Sequence, residues 1–240
     1  PLMDETARLQ DRLGAEFRLR GCVKAQLFNT KQAEAMVRAG FRWLLSGFES
    51  GSERILESIN KRSTRDENTR AVEIAKRAGL KVKALMSVGH PGESAETTEG
   101  TRDWLVEVAP EDFDCTVITT YPGTPYYDEA IPHRELPGVF TYTYARNGDR
   151  LHAYEVDFHQ VADYYKGDPR GGYQAFVFTD HLSAEELVVR RNWIEESVRA
   201  RLAIPYPKAR PALRYEHSMG QGGNLSLPRY ILGTSAGGEC

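Results

Sequence analysis

Three loops rich in glycine and proline, each placed directly after a short apolar run, constrain the fold of this chain more than any other feature. They are residues 47–52 (GFESGS), 89–93 (GHPGE) and 121–125 (YPGTP). Glycine lets the backbone approach a ligand closely, and open α/β sheets bind ligands at the carboxyl ends of their strands. The series therefore predicts a ligand site at one end of a parallel sheet.

Strand and helix signals alternate over the first 130 residues. Helices are predicted at 3–13, 32–39, 52–59, 64–78 and 94–108, and strands at 17–27, 41–48, 80–88 and 113–120. Thr30 is a candidate N-cap, and Thr64 with Glu67 forms a capping-box pattern. An Ala-Gly pair precedes a strand at residues 39–40 and again at 78–79, an offset of 39 residues (78 minus 39). This offset suits one strand–helix unit of an α/β barrel.

The pattern changes after about residue 132. Strands predicted at 139–144 and 151–158 flank Asn147-Gly148, which is a hairpin signal. A further strand is predicted at 173–179, and Ser183 opens a helix to about residue 202. We therefore divide the chain into a domain of residues 1–133 and an extension of residues 134–240, with a Pro/Gly-rich tail.

Composition excludes several classes of function. The net charge of −3 gives no electrostatic case for nucleic acid or an anionic membrane surface. No apolar run approaches the roughly 20 residues that span a bilayer. Cys22, Cys115 and Cys240 are too widely spaced for a metal site or a disulfide framework, which favours a reducing, cytoplasmic location. We expect Cys22 and Cys115 to lie in strands as small hydrophobic residues.

Glu49 stands at the end of a predicted strand and is the first candidate for binding. A carboxylate in this position can accept hydrogen bonds from ribose hydroxyls, as in nucleotide-binding folds. It can equally cap the helix that begins at Ser52, where negative charge is favourable. Local sequence leaves both interpretations open. The GHPGE loop, taken by itself, indicates only a turn before a helix, and a lone His90 is more often neither ligand nor base.

Taken together, the loops resemble the radical S-adenosylmethionine (SAM) enzymes. Residues 47–56 with 59–61 resemble their G-x-E-S-G-S…I-L…I-N-K signature, 78–82 with 89–93 resemble A-G-I-x-V…G-x-P-G-E, and 121–127 resembles Y-P-G-T-P-L-Y. The resemblance covers roughly residues 15 to 130. It is strongest to the branch that carries an N-terminal cobalamin-binding domain.

This resemblance implies a fold, cofactors and a reaction. The fold is α/β, the C-terminal part of a partial (β/α)₆ TIM-like barrel, followed by a smaller α+β extension. The family binds a [4Fe–4S] cluster through C-x₃-C-x₂-C, and reductive cleavage of SAM yields a 5′-deoxyadenosyl radical that abstracts hydrogen. Implied partners are a small-molecule substrate and an electron donor. Implied outcomes are methyl transfer, with cobalamin as a further cofactor, or cyclisation.

The resemblance also assigns cofactor-binding residues. Glu49 with Ser50 would contact the ribose or methionyl part of SAM. Lys61 would face the methionine carboxylate, or else be a solvated lysine at a helix end, and a basic group near Lys24 is a further candidate. The residues whose backbone would border the adenine are Val88, Gly89, Pro91 and Tyr121. No catalytic or metal-ligating residue is assigned in this chain.

The chain departs from the family pattern because it contains no C-x₃-C-x₂-C. The start at Pro1, in mid-barrel, favours a fragment whose upstream part bears the cluster, so that this chain alone would be inactive. One alternative is a degenerate, non-catalytic subunit that docks on a cluster-bearing partner through an open sheet edge. Another is an ordinary α/β-barrel enzyme that binds a phosphorylated metabolite at the same loops.

The extension carries tyrosines and histidines without an assigned role. Its tyrosines either close the open side of the barrel or fill a small core of their own; they are Tyr142, Tyr144, Tyr164, Tyr165 and Tyr173. Three of its histidines share no metal-ligand spacing: His152, His159 and His181. Residues 216–222 (EHSMGQG) are taken as tail.

Overall fold

The computed structural model describes residues 2–155 and 174–206 of the chain. The N-terminal part is a four-stranded, wholly parallel sheet in the order β1-β2-β3-β4, formed by Leu19–Cys22, Phe41–Glu49, Lys81–Val88 and Asp112–Val117. The helices α1 to α5 around it are Leu2–Leu13, Thr30–Arg38, Glu53–Ser58, Arg65–Arg77 and Ala95–Val108. The predicted α/β class is confirmed.

Local capping signals explain where the helices begin. The Thr64 side chain accepts a hydrogen bond from the N–H of Glu67, which completes the predicted capping box of α4, and Ser94 forms the same arrangement on α5. The N-cap of α2 is Asn29 rather than the predicted Thr30, since Asn29 forms a capping box with Gln32. Asparagine is the stronger capping residue of the two, which accounts for the shift by one position.

The first and last parallel strands are shorter than predicted. Only Leu19–Cys22 of the segment 17–27 is a strand, and Ala25–Leu27 forms a 3₁₀ turn instead. The strand predicted to end at 120 ends at Val117. Cys22 and Cys115 lie in strands as predicted, and Cys115 is buried, but Cys22 is exposed rather than packed as a small hydrophobic residue. The reason is that β1 pairs with β2 along one side only, and its side chains alternate in exposure.

The C-terminal part contains a second, antiparallel sheet in the order β5-β6-β7-β8. Its strands are Ile131–Pro132, Val139–Thr143, Arg150–Tyr154 and Val177–Thr179. The predicted hairpin joins β6 to β7, and Gly148 adopts the left-handed conformation at φ +79°. The remaining helices are α6 (Pro125–Asp128) and α7 (Ala184–Leu202), and Ser183 caps α7 as predicted.

Helix α7 covers the outer edge of β4 with three buried, charged side chains. Glu195 Oε1 accepts from the N–H of Cys115, Arg191 Nε donates to the Cys115 carbonyl, and Arg199 Nη2 donates to the Phe113 carbonyl, each at 2.7 Å. These side chains satisfy backbone groups that a fifth strand would otherwise pair with. Among the described residues, β1 and β4 are both edge strands of this sheet, and the outer edge of β1 has no partner strand.

The core lies between the parallel sheet and its helices. Phe48 of β2 packs edge-to-face on Trp104 of α5, with ring centroids 5.3 Å apart, and both side chains are fully buried. In the extension Tyr142 and Tyr144 are buried, which fits the interpretation that they fill a core. Other predictions fall outside the described residues, namely those for Tyr164, Tyr165, Tyr173, His159, Cys240 and residues 216–222.

The helices of the described residues were also compared with what a membrane span requires. None of them is both long enough and apolar enough to cross a bilayer.

The division of the chain at residue 133 stays a prediction, although α7 packs on α5 and on β4 of the N-terminal sheet.

Candidate site at the carboxyl edge of the parallel sheet

Glu49 is the last residue of β2 and lies at the carboxyl edge of the sheet. Its backbone is left-handed at φ +66°, and the register between β2 and β3 shifts between Gly47 and Glu49. A left-handed conformation is unfavourable for a residue with a side chain, and such positions concentrate at functional sites. The turn brings the Glu49 carboxylate next to the end of β3.

Both carboxylate oxygens of Glu49 have a protein donor. Lys61 Nζ lies 2.7 Å from Oε1, and Ser87 Oγ donates to Oε2 at 2.8 Å. The side chains of the ion pair remain 28% exposed for Glu49 and 26% for Lys61. Helix α3 is capped at Ser52 without a side-chain bond, so the structure shows no capping of this helix by Glu49. A carboxylate held on two sides and open on a third can still accept hydrogen bonds from a ligand.

Lys61 is fixed by the chain around it rather than free in solvent. Its N–H donates to the carbonyl of Leu56 at the end of α3, and Gln26 Nε2 donates to the Lys61 carbonyl at 2.9 Å. The lysine predicted to be either a ligand contact or a solvated helix-end residue is therefore a half-buried partner of Glu49.

His90 continues the hydrogen-bonded group inward. Its Nε2 lies 2.8 Å from Ser87 Oγ, and its Nδ1 lies 3.4 Å from the hydroxyl of Tyr126 on α6. Burial lowers the pKa of His90 to about 4, and the attraction of Glu49 only partly opposes this. The sequence interpretation gave His90 no role. The signal that could have found it is the Ser-x-x-His spacing across the end of β3.

The Ser50 hydroxyl points away from this edge. It is buried, exchanges a hydrogen bond with Thr101 Oγ1 at 2.8 Å, and accepts from the N–H of Ser52 at 3.1 Å. The side chain therefore fixes the loop on α5. A role for the Ser50 hydroxyl at the ligand is not what this geometry favours.

The backbone of the GHPGE loop lies under the extension. The Val88 carbonyl accepts from the N–H of Ile118 at 2.9 Å, and a Cβ placed on Gly89 would meet Val117 and Val177 at 3.2 Å. Gly89 is left-handed at φ +92°, and Pro91 is buried. The adenine-bordering role of Val88, Gly89 and Pro91 stays a prediction, and Gly89 is already covered by Val177 of the extension.

Glu93 is an unexpected buried acid beneath this loop. It is 1% exposed, accepts from the N–H of Gly89 at 3.1 Å, and accepts from Thr97 Oγ1 at 2.6 Å. Burial raises the pKa of Glu93 to about 7, although these hydrogen bonds favour the charged form. Its backbone carbonyl also accepts from Thr179 Oγ1 of β8, so Glu93 ties the loop to the second sheet.

Tyr121 lies in an exposed turn before α6. Its carbonyl accepts from the N–H and the hydroxyl of Thr124, at 3.1 and 2.6 Å. Of the predicted site residues, Glu49 and Lys61 are thus brought into direct contact. Ser50 is turned towards α5, and the predicted roles of the others rest on their backbone.

The described residues do not fit a resident iron–sulfur cluster. They include no group of three His, Cys, Asp or Glu side chains that could hold a metal. Cys22 is exposed at the end of β1, whereas Cys115 is buried next to α7 and burial raises its thiol pKa. A cluster needs thiolate ligands, which a buried thiol of raised pKa does not supply.

The fold and the site together define an α/β protein with a lysine-paired carboxylate at the carboxyl edge of a parallel sheet. Residues 1–105 match the family model of the radical SAM superfamily. The resemblance of the sequence to that superfamily is confirmed over this segment.

Two curated relatives are matched by this chain over only part of their own length. An uncharacterized methyltransferase of Pyrococcus horikoshii is 34% identical over 113 residues, which are 47% of this chain and 25% of that protein. A bacteriochlorophyllide d C-12(1)-methyltransferase of Chlorobaculum tepidum is 29% identical over 116 residues, again 47% and 25%. The chain therefore matches these relatives over a quarter of their length.

One solved structure matches nearly all of the chain. The radical S-adenosylmethionine methyltransferase TsrM of Kitasatospora setae, with cobalamin and a [4Fe–4S] cluster bound, aligns with 88% of this chain and 42% of its own. The TM-score is 0.54 and the sequence identity is 15%. At this identity the match shows a shared fold.

Proposed function

We propose that this chain is part of a radical SAM enzyme and that Glu49 accepts hydrogen bonds from the ribose hydroxyls of S-adenosylmethionine. The observation that carries the proposal is the held but accessible carboxylate of Glu49 at the end of a buried parallel strand. Carboxylates in this position accept hydrogen bonds from ribose hydroxyls in nucleotide-binding folds. The superfamily match of residues 1–105 supports the same ligand.

Lys61 has a second task in this proposal. An ammonium group carries three donors, and one of them is engaged by Glu49. The others are available for the carboxylate of the methionyl group, which would lie beside the ribose. The backbone near Pro91 and Tyr121 would border the adenine, as the sequence resemblance implies.

The cluster would be held by residues outside this chain, either in the upstream part of the same protein or in a cluster-bearing partner. The outer edge of β1 supports this proposal, because an additional parallel strand can join the sheet there. With the cluster reduced by an electron donor, SAM would supply radical chemistry on a small-molecule substrate. This chain would bind and orient SAM and enclose the substrate.

For the reaction we propose methyl transfer, with cyclisation as the second candidate. Two of the curated relatives are named methyltransferases, and another is an anaerobic magnesium-protoporphyrin IX monomethyl ester cyclase of Rubrivivax gelatinosus, 30% identical over 96 residues. Cobalamin would be the methyl carrier in the first case. The cytoplasmic location stays a prediction from cysteine usage.

A non-catalytic barrel subunit remains the alternative, and the same edge of β1 favours it. A phosphometabolite site has less support, because amides in the candidate loops already donate within the protein. The Gly89 N–H donates to Glu93, the Glu93 N–H to the His90 carbonyl, and the Gly123 N–H to Asp128. A phosphate cradle needs such N–H groups to be available.

Equilibrium dialysis of the full chain with S-adenosylhomocysteine tests the proposal. We expect saturable binding that weakens at least fivefold in Glu49→Gln, since the amide replaces one of two accepting oxygens. Glu57→Gln, an exposed acid on neighbouring α3, is the matched control and should bind like the wild type. Equal affinity in the wild type and Glu49→Gln would contradict the proposal.

A further inference from the structure

We propose that Ser87, His90 and Tyr126 are positioning residues that hold the Glu49 carboxylate in place through one directed chain of hydrogen bonds. The inference rests on the proposed function of Glu49 and deepens it. Tyr126 Oη lies 3.4 Å from His90 Nδ1; across the imidazole ring, His90 Nε2 lies 2.8 Å from Ser87 Oγ, which lies 2.8 Å from Glu49 Oε2.

The carboxylate at one end fixes the direction of every bond. An ionised carboxylate only accepts, so Ser87 must donate its proton to Glu49. The Ser87 oxygen then accepts from His90, which places the histidine proton on Nε2. In the neutral ring Nδ1 is therefore an acceptor, and Tyr126 donates to it. This series of hydrogen bonds is consistent with only one tautomer of His90.

The surroundings of His90 support this arrangement. The imidazole is 6% exposed, and the charges that act on it are Glu49 and Lys61, which form an ion pair with each other. A buried imidazole next to an ion pair of zero net charge gains little electrostatic stabilisation from binding a second proton. At ordinary pH the uncharged ring can therefore accept a hydrogen bond from Tyr126 and donate one to Ser87.

The chain also connects the extension to the site. Tyr126 lies on α6, and its ring packs on Tyr142 of β6 with centroids 4.9 Å apart. The placement of the Glu49 carboxylate oxygens therefore depends, through Ser87, His90 and Tyr126, on the packing of the antiparallel sheet. Without the chain, the Ser87 hydroxyl could rotate away and the carboxylate would lose one of its two anchors.

Nitrogen NMR of the full chain tests the direction of the bonds independently of any ligand. We expect the His90 ring near neutral pH to be neutral with its proton on Nε2. In Tyr126→Phe the Nδ1 resonance should shift, whereas Tyr142→Phe, in the neighbouring ring, should leave it unchanged. A proton on Nδ1, or a doubly protonated ring, would overturn the inference.

Ligand binding tests the function of the chain. Adenosine and 2′,3′-dideoxyadenosine differ by the ribose diol alone, so the ratio of their affinities reports on Glu49. We expect Ser87→Ala and Tyr126→Phe to weaken adenosine binding about fivefold with little effect on the dideoxy compound, as for the loss of one hydrogen bond. Tyr142→Phe should keep the wild-type ratio.

The outcomes separate this inference from the proposed function. If Glu49→Gln lowers the ratio but Ser87→Ala and Tyr126→Phe do not, the positioning role is wrong and the ribose contact stands. If Glu49→Gln leaves the wild-type ratio unchanged, the ribose contact fails and the positioning role fails with it. Matching amide spectra establish that each variant is folded.

Discussion

The carboxylate of Glu195 on α7 accepts a hydrogen bond at 2.7 Å from the backbone N–H of Cys115, on the outer edge of β4. Its other oxygen accepts from Arg199 Nε at 2.7 Å, and Arg199 also donates to the Phe113 carbonyl. A helix thus supplies, through buried side chains, the partners that a neighbouring strand would give. The open edge expected of a partial barrel is closed on this side by residues of the extension.

Removing the Glu195 carboxylate should be strongly destabilising. Glu195→Ala removes the acceptor of the Cys115 N–H and the carboxylate shared by two buried guanidinium groups, a loss of about 3 to 5 kcal/mol in the free energy of unfolding. Urea unfolding measures it. The control is Glu196→Ala, an exposed acid on the same helix, which should change stability by less than about 0.5 kcal/mol. Similar losses in both variants would mean that α7 does not protect this edge.

Glu93 should make the protein less stable as the pH rises. Its pKa is raised by burial from 4.5 to about 7, so within that interval the folded state holds more protons than the unfolded state. Stability from this group is present at low pH and declines as the pH rises through the interval, by an amount on the order of 3 kcal/mol. Glu93→Gln should therefore gain stability relative to the wild type at about pH 7.5.

His90 should act in the opposite sense. Its pKa is lowered by burial from 6.5 to about 4, so within that interval the unfolded state binds more protons. Stability from this group is complete above the interval and is lost as the pH falls through it. His90→Gln keeps a donor near the Nε2 position without titrating. It should lose less stability than the wild type between about pH 7 and about pH 4.5.

In the wild type, the pH dependence of stability from Glu93 and that from His90 largely cancel. Replacing either residue should therefore expose the pH dependence that comes from the other. Unfolding free energies across this range should fall more steeply on acidification in Glu93→Gln than in the wild type. In His90→Gln they should fall more steeply on raising the pH. Parallel curves for all three proteins would contradict the burial-driven pKa values of both residues.

Gly92 and Asp149 should show strong energetic coupling. Gly92 is left-handed at φ +79°, and a Cβ placed there would collide with the Asp149 carboxylate, which accepts two hydrogen bonds from Arg54. Gly92→Ala should cost more than the roughly 1 to 2 kcal/mol expected for the backbone conformation alone. Gly79→Ala measures that backbone cost by itself, because Gly79 has φ +83° with open space around it.

A double-mutant cycle checks this coupling. Asp149→Ala removes both the collision and the ion pair with Arg54, so Gly92→Ala should cost less in that background than in the wild type. Thermal or urea unfolding of the four proteins gives the coupling free energy. If the free-energy changes of Gly92→Ala and Asp149→Ala were additive, Asp149 of the hairpin turn would not be in steric contact with the GHPGE loop.

Local signals made much of the fold predictable. Thr64, Ser94 and Ser183 act through residues three positions away, so their capping boxes could be found in the sequence. Glu49 and Lys61 were found because the family motif spans both, although sequence alone did not show that they pair with each other.

Long-range contacts could not be predicted in this way. The direction of the Ser50 hydroxyl depends on Thr101, 51 residues away, and the cover on β4 depends on a partner 80 residues away. His90 lies in a loop where a histidine is usually exposed, but its ring is buried and lies edge-on to Tyr126. These contacts arise from tertiary packing, which leaves no periodic trace in the sequence.

The ratio of adenosine to 2′,3′-dideoxyadenosine affinity, measured by NMR titration of the full chain, tests the central claim most directly. We expect the wild type to bind adenosine about tenfold more tightly, since a carboxylate accepting two hydroxyls gains two hydrogen bonds. In Glu49→Gln the ratio should fall to within about twofold, whereas Glu57→Gln should keep the wild-type ratio. Equal affinities for the two nucleosides in the wild type would contradict the account of Glu49 as a ribose-binding residue.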